Sequence, residues 1–405
     1  MGSDPVLALD IGSDKISALL ARAGESGIDT LGLGQTPSRG VQRGVVVDVE
    51  EASEAISESV NGAGRRARHA PAWVSVTGTH FSGLVTSAAM PITRPSREIL
   101  PSDVDQVLRA AGDIALPEGR EVVHVIPCDF VVDGLPGVQR PTGLSASTLE
   151  GRVHVITASS AALDNVGRCL QRAGIALEDF VFSPLACAEA AFGGTQPRGP
   201  HLLIDIGAAT TGYVLFRDGG PVLSGCLPLG GAQIVRDLCI GLRLPLDQSE
   251  QLFKGAAVGL AALARGQPPV VVRTADGGQR RVRLLVAAEI VEARLREILS
   301  HVRAQIVGSG VVAVLSGGAV LTGEVSRIPG AVALAEQVLS CPVRAYGGAL
   351  AGLLPEAKAP DMAAVVGAAI IGLRHSAGEP QAGRVGLLRS LAARVEAIKR
   401  ALLGS

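Results

Sequence analysis

The chain contains one piece of local sequence twice, and that repeat limits its fold more than any other feature. Near the start, Val6-Leu7-Ala8-Leu9 runs into Asp10-Ile11-Gly12-Ser13-Asp14-Lys15. About halfway along, Leu202-Leu203-Ile204 runs into Asp205-Ile206-Gly207-Ala208-Ala209-Thr210-Thr211. Each copy is a short apolar run, an Asp-Ile-Gly step and a small polar turn. Each continues into a second apolar segment (16–21 and 213–216). A glycine turn follows, Gly24-Glu25-Ser26-Gly27 or Asp218-Gly219-Gly220, and then a third strand. The spacing predicts strand, tight turn, strand, turn, strand and helix, written twice.

That order separates the repeat from two commoner phosphate-binding patterns. A P-loop or a dinucleotide fingerprint passes from a strand through glycines straight into a helix. Neither GxxxxGK[ST] nor a properly placed GxGxxG occurs here. The turn closes a hairpin instead, and its small residues leave backbone N–H groups able to surround phosphate oxygens. Asp10 and Asp205, at the ends of the first strands, are placed to hold a hydrated Mg²⁺ or to position water. Few direct ligands are needed, because Mg²⁺ keeps several waters. One such turn reads as an ordinary hairpin; two in matching contexts argue for paired phosphate loops. A third glycine cluster follows the apolar run 311–315: Ser316-Gly317-Gly318-Ala319. Taken as a strand ending in Gly-Gly, it predicts the third side of a nucleotide cleft, where backbone approaches base and ribose closely.

Composition narrows the class further. At 405 residues the chain is long enough for two or three domains with a sizeable core. Hydrophobic residues make up 47% but aromatic residues only 2%, so Ala, Val and Leu must do most of the burying. A net charge of -1 argues against disorder and against broad electrostatic binding of nucleic acid. The longest apolar runs, such as 362–373, reach about a dozen residues, short of the ~18 or more of a spanning helix. No charged-then-apolar leader opens the sequence. A soluble, intracellular chain is expected. The six cysteines form no CxxC and the seven histidines no HExxH, so reduced, buried thiols are expected and His/Cys metal chemistry is not. His124 and His154 lie in apolar alternations and read as sheet or core residues.

The paired hairpins with a Gly-Gly turn resemble the actin, heat-shock-chaperone and sugar-kinase superfamily. Within it, the chain is similar to the FtsA family of bacterial cell-division proteins from about 6 to 373. The segments carrying the similarity include Thr36-Pro37-Ser38-Arg39-Gly40, Gly44-Val45-Val46-Val47-Asp48, His124-Val125-Ile126-Pro127 and Phe130-Val131-Val132-Asp133-Gly134. They continue with Pro184-Leu185-Ala186-Cys187-Ala188-Glu189-Ala190 and Ile240-Gly241-Leu242-Arg243. The resemblance implies an α/β, two-lobed actin-like ATPase fold with an α+β insert on the first lobe and a C-terminal amphipathic helix. The expected division is 1–83 and 159–197 for the first-lobe core, with the insert at 84–158. The second-lobe core takes 198–234 and 306–373, its outer subdomain 235–305. A linker at 374–383 and a membrane-targeting helix at 384–405 complete the chain.

Local patterns agree with the insert: a strand at 84–92, a helix at 102–115 with Ser102 as its N-cap, then strands at 122–133 and 151–157. A helix at 160–173, a hairpin at 270–285 and a helix at 287–307 are expected farther on. A helix at 48–68 begins acidic and ends basic, which suits the helix dipole.

For the cleft, the reading places ATP with Mg²⁺ on Asp10 and Asp205. Gly12, Ser13, Lys15, Gly207, Ala208, Thr210 and Thr211 are expected along the phosphates. Gly230, Gly231, Glu250, Lys254, Gly317 and Gly318 are expected near sugar or base. Several positions depart from the family pattern. Gly212 stands where an Asp is usual, Ser183 where many members have Glu, and Phe253 where a Lys is expected, with Lys254 one position later. About six residues, approximately 321–327, lengthen the loop between Gly318 and Pro329-Gly330. These changes predict weak or absent ATP hydrolysis.

The end of the sequence reads independently of any family. In 384–403 the apolar Leu388, Leu391, Ala392, Val395, Ile398, Leu402 and Leu403 recur at three and four residues. Arg384, Arg389, Arg394, Lys399 and Arg400 oppose Glu396 alone. That is the pattern of a helix lying in an anionic membrane interface. The resemblance adds the FtsZ C-terminal tail as partner, self-association into filaments, later divisome proteins at the insert, and the cytoplasmic face of the membrane at the division site. Two alternatives share the fold: a PilM-like pilus-assembly adaptor, and a sugar or acid kinase. The kinase would need a general base in an acceptor pocket, and no Asp stands in a convincing setting for it.

Overall fold

In the computed structural model, residues 4–24, 27–193, 199–254, 260–274, 277–311, 314–348 and 352–377 are described. The first copy of the repeat folds as an antiparallel pair and its third strand: β1 (Val6–Ile11), β2 (Lys15–Ala23) and β3 (Ile28–Pro37). After helix α1 (Val49–Gly62), β4 (Ala72–Val76) lies parallel to β1. The chain then leaves the sheet to build β5 (Ser82–Pro91), α2 (Pro101–Gly112), β6 (Arg120–Val132), β7 (Leu135–Val138) and β8 (Thr148–Ser159). It returns through α3 (Ser160–Arg172) to β9 (Leu177–Phe182), which closes a five-stranded sheet of order β9-β4-β1-β2-β3.

Helix α4 (Ser183–Phe192) crosses to the second lobe, where the pattern is laid down again. The strands β10 (His201–Ile206), β11 (Thr211–Arg217) and β12 (Gly220–Leu227) form the second meander. Next come α5 (Gly231–Leu242), α6 (Leu246–Lys254), the small hairpin β13 (Val270–Arg273) with β14 (Gln279–Val282), and α7 (Leu284–Gly308). β15 (Ala319–Thr322), α8 (Ala331–Leu339) and β16 (Val343–Ala345) complete it, and the last described helix, α9 (Ala363–Ser376), returns to pack on α4 and the first sheet. The second sheet runs β12-β11-β10-β15-β16. Position for position this is the first sheet's topology, with β10, β15 and β16 standing for β1, β4 and β9.

The reason lies in burial. Val6 to Leu9 and Leu202 to Ile204 are at most 1% exposed, as expected of central strands covered on both faces. The apolar run 362–373 is α9, apolar all round because it is buried all round. It crosses α4 so closely that a Cβ on Gly367 would lie 1.6 Å from the Ala186 carbonyl oxygen, so only glycine fits there. The described residues make three apolar cores: one joins the first lobe, α4 and α9 to one face of the second sheet, one fills the rest of the second lobe, and one lies inside the insert. His154 is fully buried and joins the insert to β12 through Ser224 Oγ at 2.8 Å. His124 accepts the Phe182 N–H at 2.9 Å. Both are core residues, and all six cysteines are unpaired.

Three local expectations need correction. Helix α1 ends at Gly62, and Arg65, Arg66 and Arg68 fall in a separate 3-10 turn after Gly64, whose φ is 106°. Asp48 caps α1, accepting from the Glu50 and Glu51 amides. Ser102 is not an N-cap: α2 begins at Pro101, and the Asp103 carboxylate reaches back to the Leu100 N–H at 2.8 Å. Residues 311, 314 and 315 are not in a strand; the strand begins at Ala319. The C-terminal helix expected at 384–403, with Leu388, Arg389, Leu391, Val395, Ile398, Lys399 and Leu402, lies outside the described residues. No helix among the described residues is long and apolar enough to cross a membrane.

Candidate functional site

The two repeated turns face each other across one cleft. They are closed by the same bond: Gly12 N–H to Lys15 C=O at 3.1 Å, and Gly207 N–H to Thr210 C=O at 3.0 Å. Asp10 and Asp205, next to last in β1 and β10, form the floor of the cleft. Gly12, Ser13, Lys15, Gly207, Ala208 and Thr210 line its walls with them. Ser13 Oγ accepts the Gly44 N–H at 3.1 Å, which fixes the first turn. Six of the seven expected phosphate residues are thus brought together.

The floor is electrostatically strained. Burial, and then the charge of Asp205, push the Asp10 carboxyl up to about 7. Asp205 is also raised by burial, although Thr322 Oγ1 at 3.0 Å and Ser183 Oγ at 3.5 Å donate to it. A divalent cation would relieve two such carboxylates and restore their ionisation. Among the described residues no three His, Cys, Asp or Glu could hold a metal. Asp10 and Asp205 are the residues that would hold Mg²⁺, which needs only one or two carboxylates and completes its shell with water and phosphate oxygens.

Other expected residues lie elsewhere. Thr211 is fully buried at the start of β11 and donates to the Leu229 carbonyl at 2.7 Å; it supports the approach to α5 and does not face the cleft. Gly230 and Gly231 stand behind the second turn. The Gly231 and Ala232 amides donate to the Gly207 and Ala208 carbonyls at 2.9 and 2.6 Å, and a Cβ on Gly230 would collide with those carbonyl oxygens. Glu250 is exposed on α6. Lys254 does reach the cleft mouth, where it pairs with Asp14 at 3.3 Å, while Phe253 is buried. A Cβ at Gly212 would sit 2.4 Å from Pro184 Cγ, so that position is closed to a carboxylate as the chain is packed.

The largest correction concerns Gly317 and Gly318. Strands β10 and β15 run parallel with Leu202 opposite Ala319 and Asp205 opposite Thr322. Gly317 and Gly318 therefore bond near Pro200 and Leu202, at the end of the sheet opposite the cleft. The turn that reaches the cleft is Thr322-Gly323-Glu324. Gly323 has φ +84°, and a Cβ there would lie 2.3 Å from the Ile206 carbonyl oxygen. The sequence offers nearly the same tetrad twice, Val314-Leu315-Ser316-Gly317 and Val320-Leu321-Thr322-Gly323, six residues apart. Choosing the second copy, six positions later, removes the addition expected at about 321–327. It also puts Glu324 where the second glycine was expected. Sequence reasoning missed Glu324 together with Thr77 and Asp361, which complete the lining.

Comparison with known proteins follows the same lines. Residues 78–157 match the family model described as the SHS2 domain inserted in FTSA, and 202–367 the one described as cell division protein FtsA. Cell division protein FtsA of Pseudomonas aeruginosa is 33% identical over 343 residues, covering 84% of this chain and 82% of the relative. That of Borreliella burgdorferi is 32% identical, with 85% and 84% covered. Among solved structures, a PilM-PilN type IV pilus biogenesis complex matches with TM-score 0.64 at 18% identity, covering 93% of this chain and 99% of that one. MreB 5 of Spiroplasma citri bound to AMPPNP matches at 0.54 and 12%, with 92% and 97% covered. A MamK double helical filament matches at 0.54 and 14%, with 93% and 99% covered. At these identities the structures establish the actin-like fold alone.

Proposed function

This chain belongs to the FtsA family of cell division proteins, and from that premise we propose that it is an ATP-binding adaptor tethering FtsZ filaments to the inner membrane face at the division site. The observation that carries the nucleotide part is the pair of matching turns facing each other over Asp10 and Asp205. A relative in the same fold is described as bound to AMPPNP and another as a filament, which supports ATP binding and self-association here. The basic, amphipathic sequence at 384–403 supports membrane attachment. The insert is the proposed surface for later division proteins. Gly212 and Ser183, in place of carboxylates, go with slow turnover, so the cleft acts as a binding switch more than as an enzyme.

For FtsZ we propose the outer part of the second lobe, 235–305. Its large apolar side chains Ile240 on α5, Leu246 on α6 and Val271 on β13 are 71%, 61% and 59% exposed, and they are the contacts proposed for the peptide's apolar residues. A labelled FtsZ C-terminal peptide is expected to bind the intact chain. Ile240→Glu with Leu246→Glu should weaken that binding tenfold or more and leave ATP binding unchanged. Unaltered peptide affinity in the folded double variant would move the site elsewhere.

A further inference from the structure

Both lysines that reach the cleft are already engaged by carboxylates. Lys15, on the first-lobe hairpin, forms an ion pair with Asp361. Asp361 is tied in turn to the second lobe: it pairs with Arg327 at 3.4 Å, and the preceding Pro360 carbonyl accepts the Gly323 N–H at 3.0 Å. Lys254, on the second lobe, pairs with Asp14 of the first-lobe turn. Glu324 lines the same space as Asp14, Lys15 and Asp361.

The two pairs differ in weight. Lys254 and Asp14 are 49% and 43% exposed, so their pair is screened and worth little. Lys15 and Asp361 are 25% and 15% exposed, and their pair dominates. Burial alone would raise Asp361, but the hydrogen bond and charge of Lys15, with Arg327, hold it below the usual carboxylate range. Glu324 is raised instead, by burial and then by Asp14. Counting Asp14, Glu324 and Asp361 against Lys15, Lys254 and Arg327 leaves this side of the cleft neutral, before the floor carboxylates are added.

We infer that Asp361 and Glu324 are internal competitors of the nucleotide's phosphates: Asp361 holds Lys15 across the lobes, Glu324 repels a polyphosphate from the same space, and ATP must displace this latch to bind. The inference rests on the reading of the cleft as a nucleotide site. It adds that the cleft's affinity for polyphosphate is suppressed by residues of this chain, and that Mg²⁺ is needed to offset them. Neutralising either carboxylate should therefore favour phosphate without touching recognition of the nucleoside.

Isothermal titration of the full chain with ATP and with adenosine, each with EDTA and with Mg²⁺, tests this. Asp361→Asn and the near-isosteric Glu324→Gln should each tighten metal-free ATP binding about tenfold, and less with Mg²⁺ present. Adenosine, which carries no phosphate, should bind both variants as it binds the parent. ATP binding that is unchanged or weaker in the folded variants would overturn the latch. Equal gains for ATP and adenosine would overturn it too, since charge competition would not be the cause. If neither the parent nor any variant binds ATP or adenosine, the nucleotide reading fails and the latch with it.

Discussion

Replacing Leu391 and Ile398 together by glutamate is expected to abolish binding of the intact chain to anionic vesicles, while its folded body still binds ATP. Leu391 and Ile398 stand seven positions apart in the sequence, a spacing that would put both on one face of the helix proposed over 384–403. Burying each contributes about 1.5–3 kcal/mol, and a charged replacement turns that gain into a cost. The basic residues act differently. Each Lys or Arg near an anionic surface contributes about 1 kcal/mol, an attraction that salt screens. Charge reversal at Arg389 and Lys399 should then weaken binding chiefly to anionic vesicles, and more at low salt. Loss of ATP binding or of cooperative unfolding in the double glutamate variant would mean that the segment docks on the chain's own body.

The second large effect is expected at Asp10. Burial, and then the charge of Asp205, push its carboxyl up to about 7 from an ordinary value of 3.8. The folded state then holds more protons than the unfolded state between those values, so this group lowers stability as pH rises from about 4 to about 7. The penalty is on the order of a few kcal/mol at and above neutral pH. Asp10→Asn should remove that penalty. Denaturant titration in EDTA should find the variant more stable than the parent at pH 8, with the difference nearly gone at pH 4. The same substitution should weaken Mg²⁺-dependent ATP binding severely, since a neutral amide is a poor ligand for a hard cation. A variant less stable than the parent at pH 8 would show that Asp10 is a structural group.

What could be read in advance divides along a physical line. The paired hairpins were legible because their chemistry is local: an apolar run, Asp-Ile-Gly and small turn residues fix each one within a few positions. The insert's strands and α2 were legible for the same reason, through alternation and a helix-start proline. The cleft's third side was not. Two Val-Leu-x-Gly tetrads compete for β15, and the local preference for a double glycine favours Gly317-Gly318. The parallel register of Leu202 with Ala319 decides for the other. Thr211 fits a phosphate turn by type, yet the pleat turns it toward Leu229. Asp361 lies 346 positions from its partner Lys15, and no local pattern announces that contact.

Vesicle flotation distinguishes a tether between FtsZ filaments and the membrane from a chain that binds only one of them. FtsZ with GTP is mixed with anionic vesicles and the full-length chain, with ATP and Mg²⁺, and spun through a density gradient. FtsZ should rise with the vesicles only when the chain is present. It should stay at the bottom with the Leu391→Glu, Ile398→Glu variant, which fails to float, and with Ile240→Glu, Leu246→Glu, which floats alone. If the parent chain floats and FtsZ remains at the bottom, the tether is contradicted.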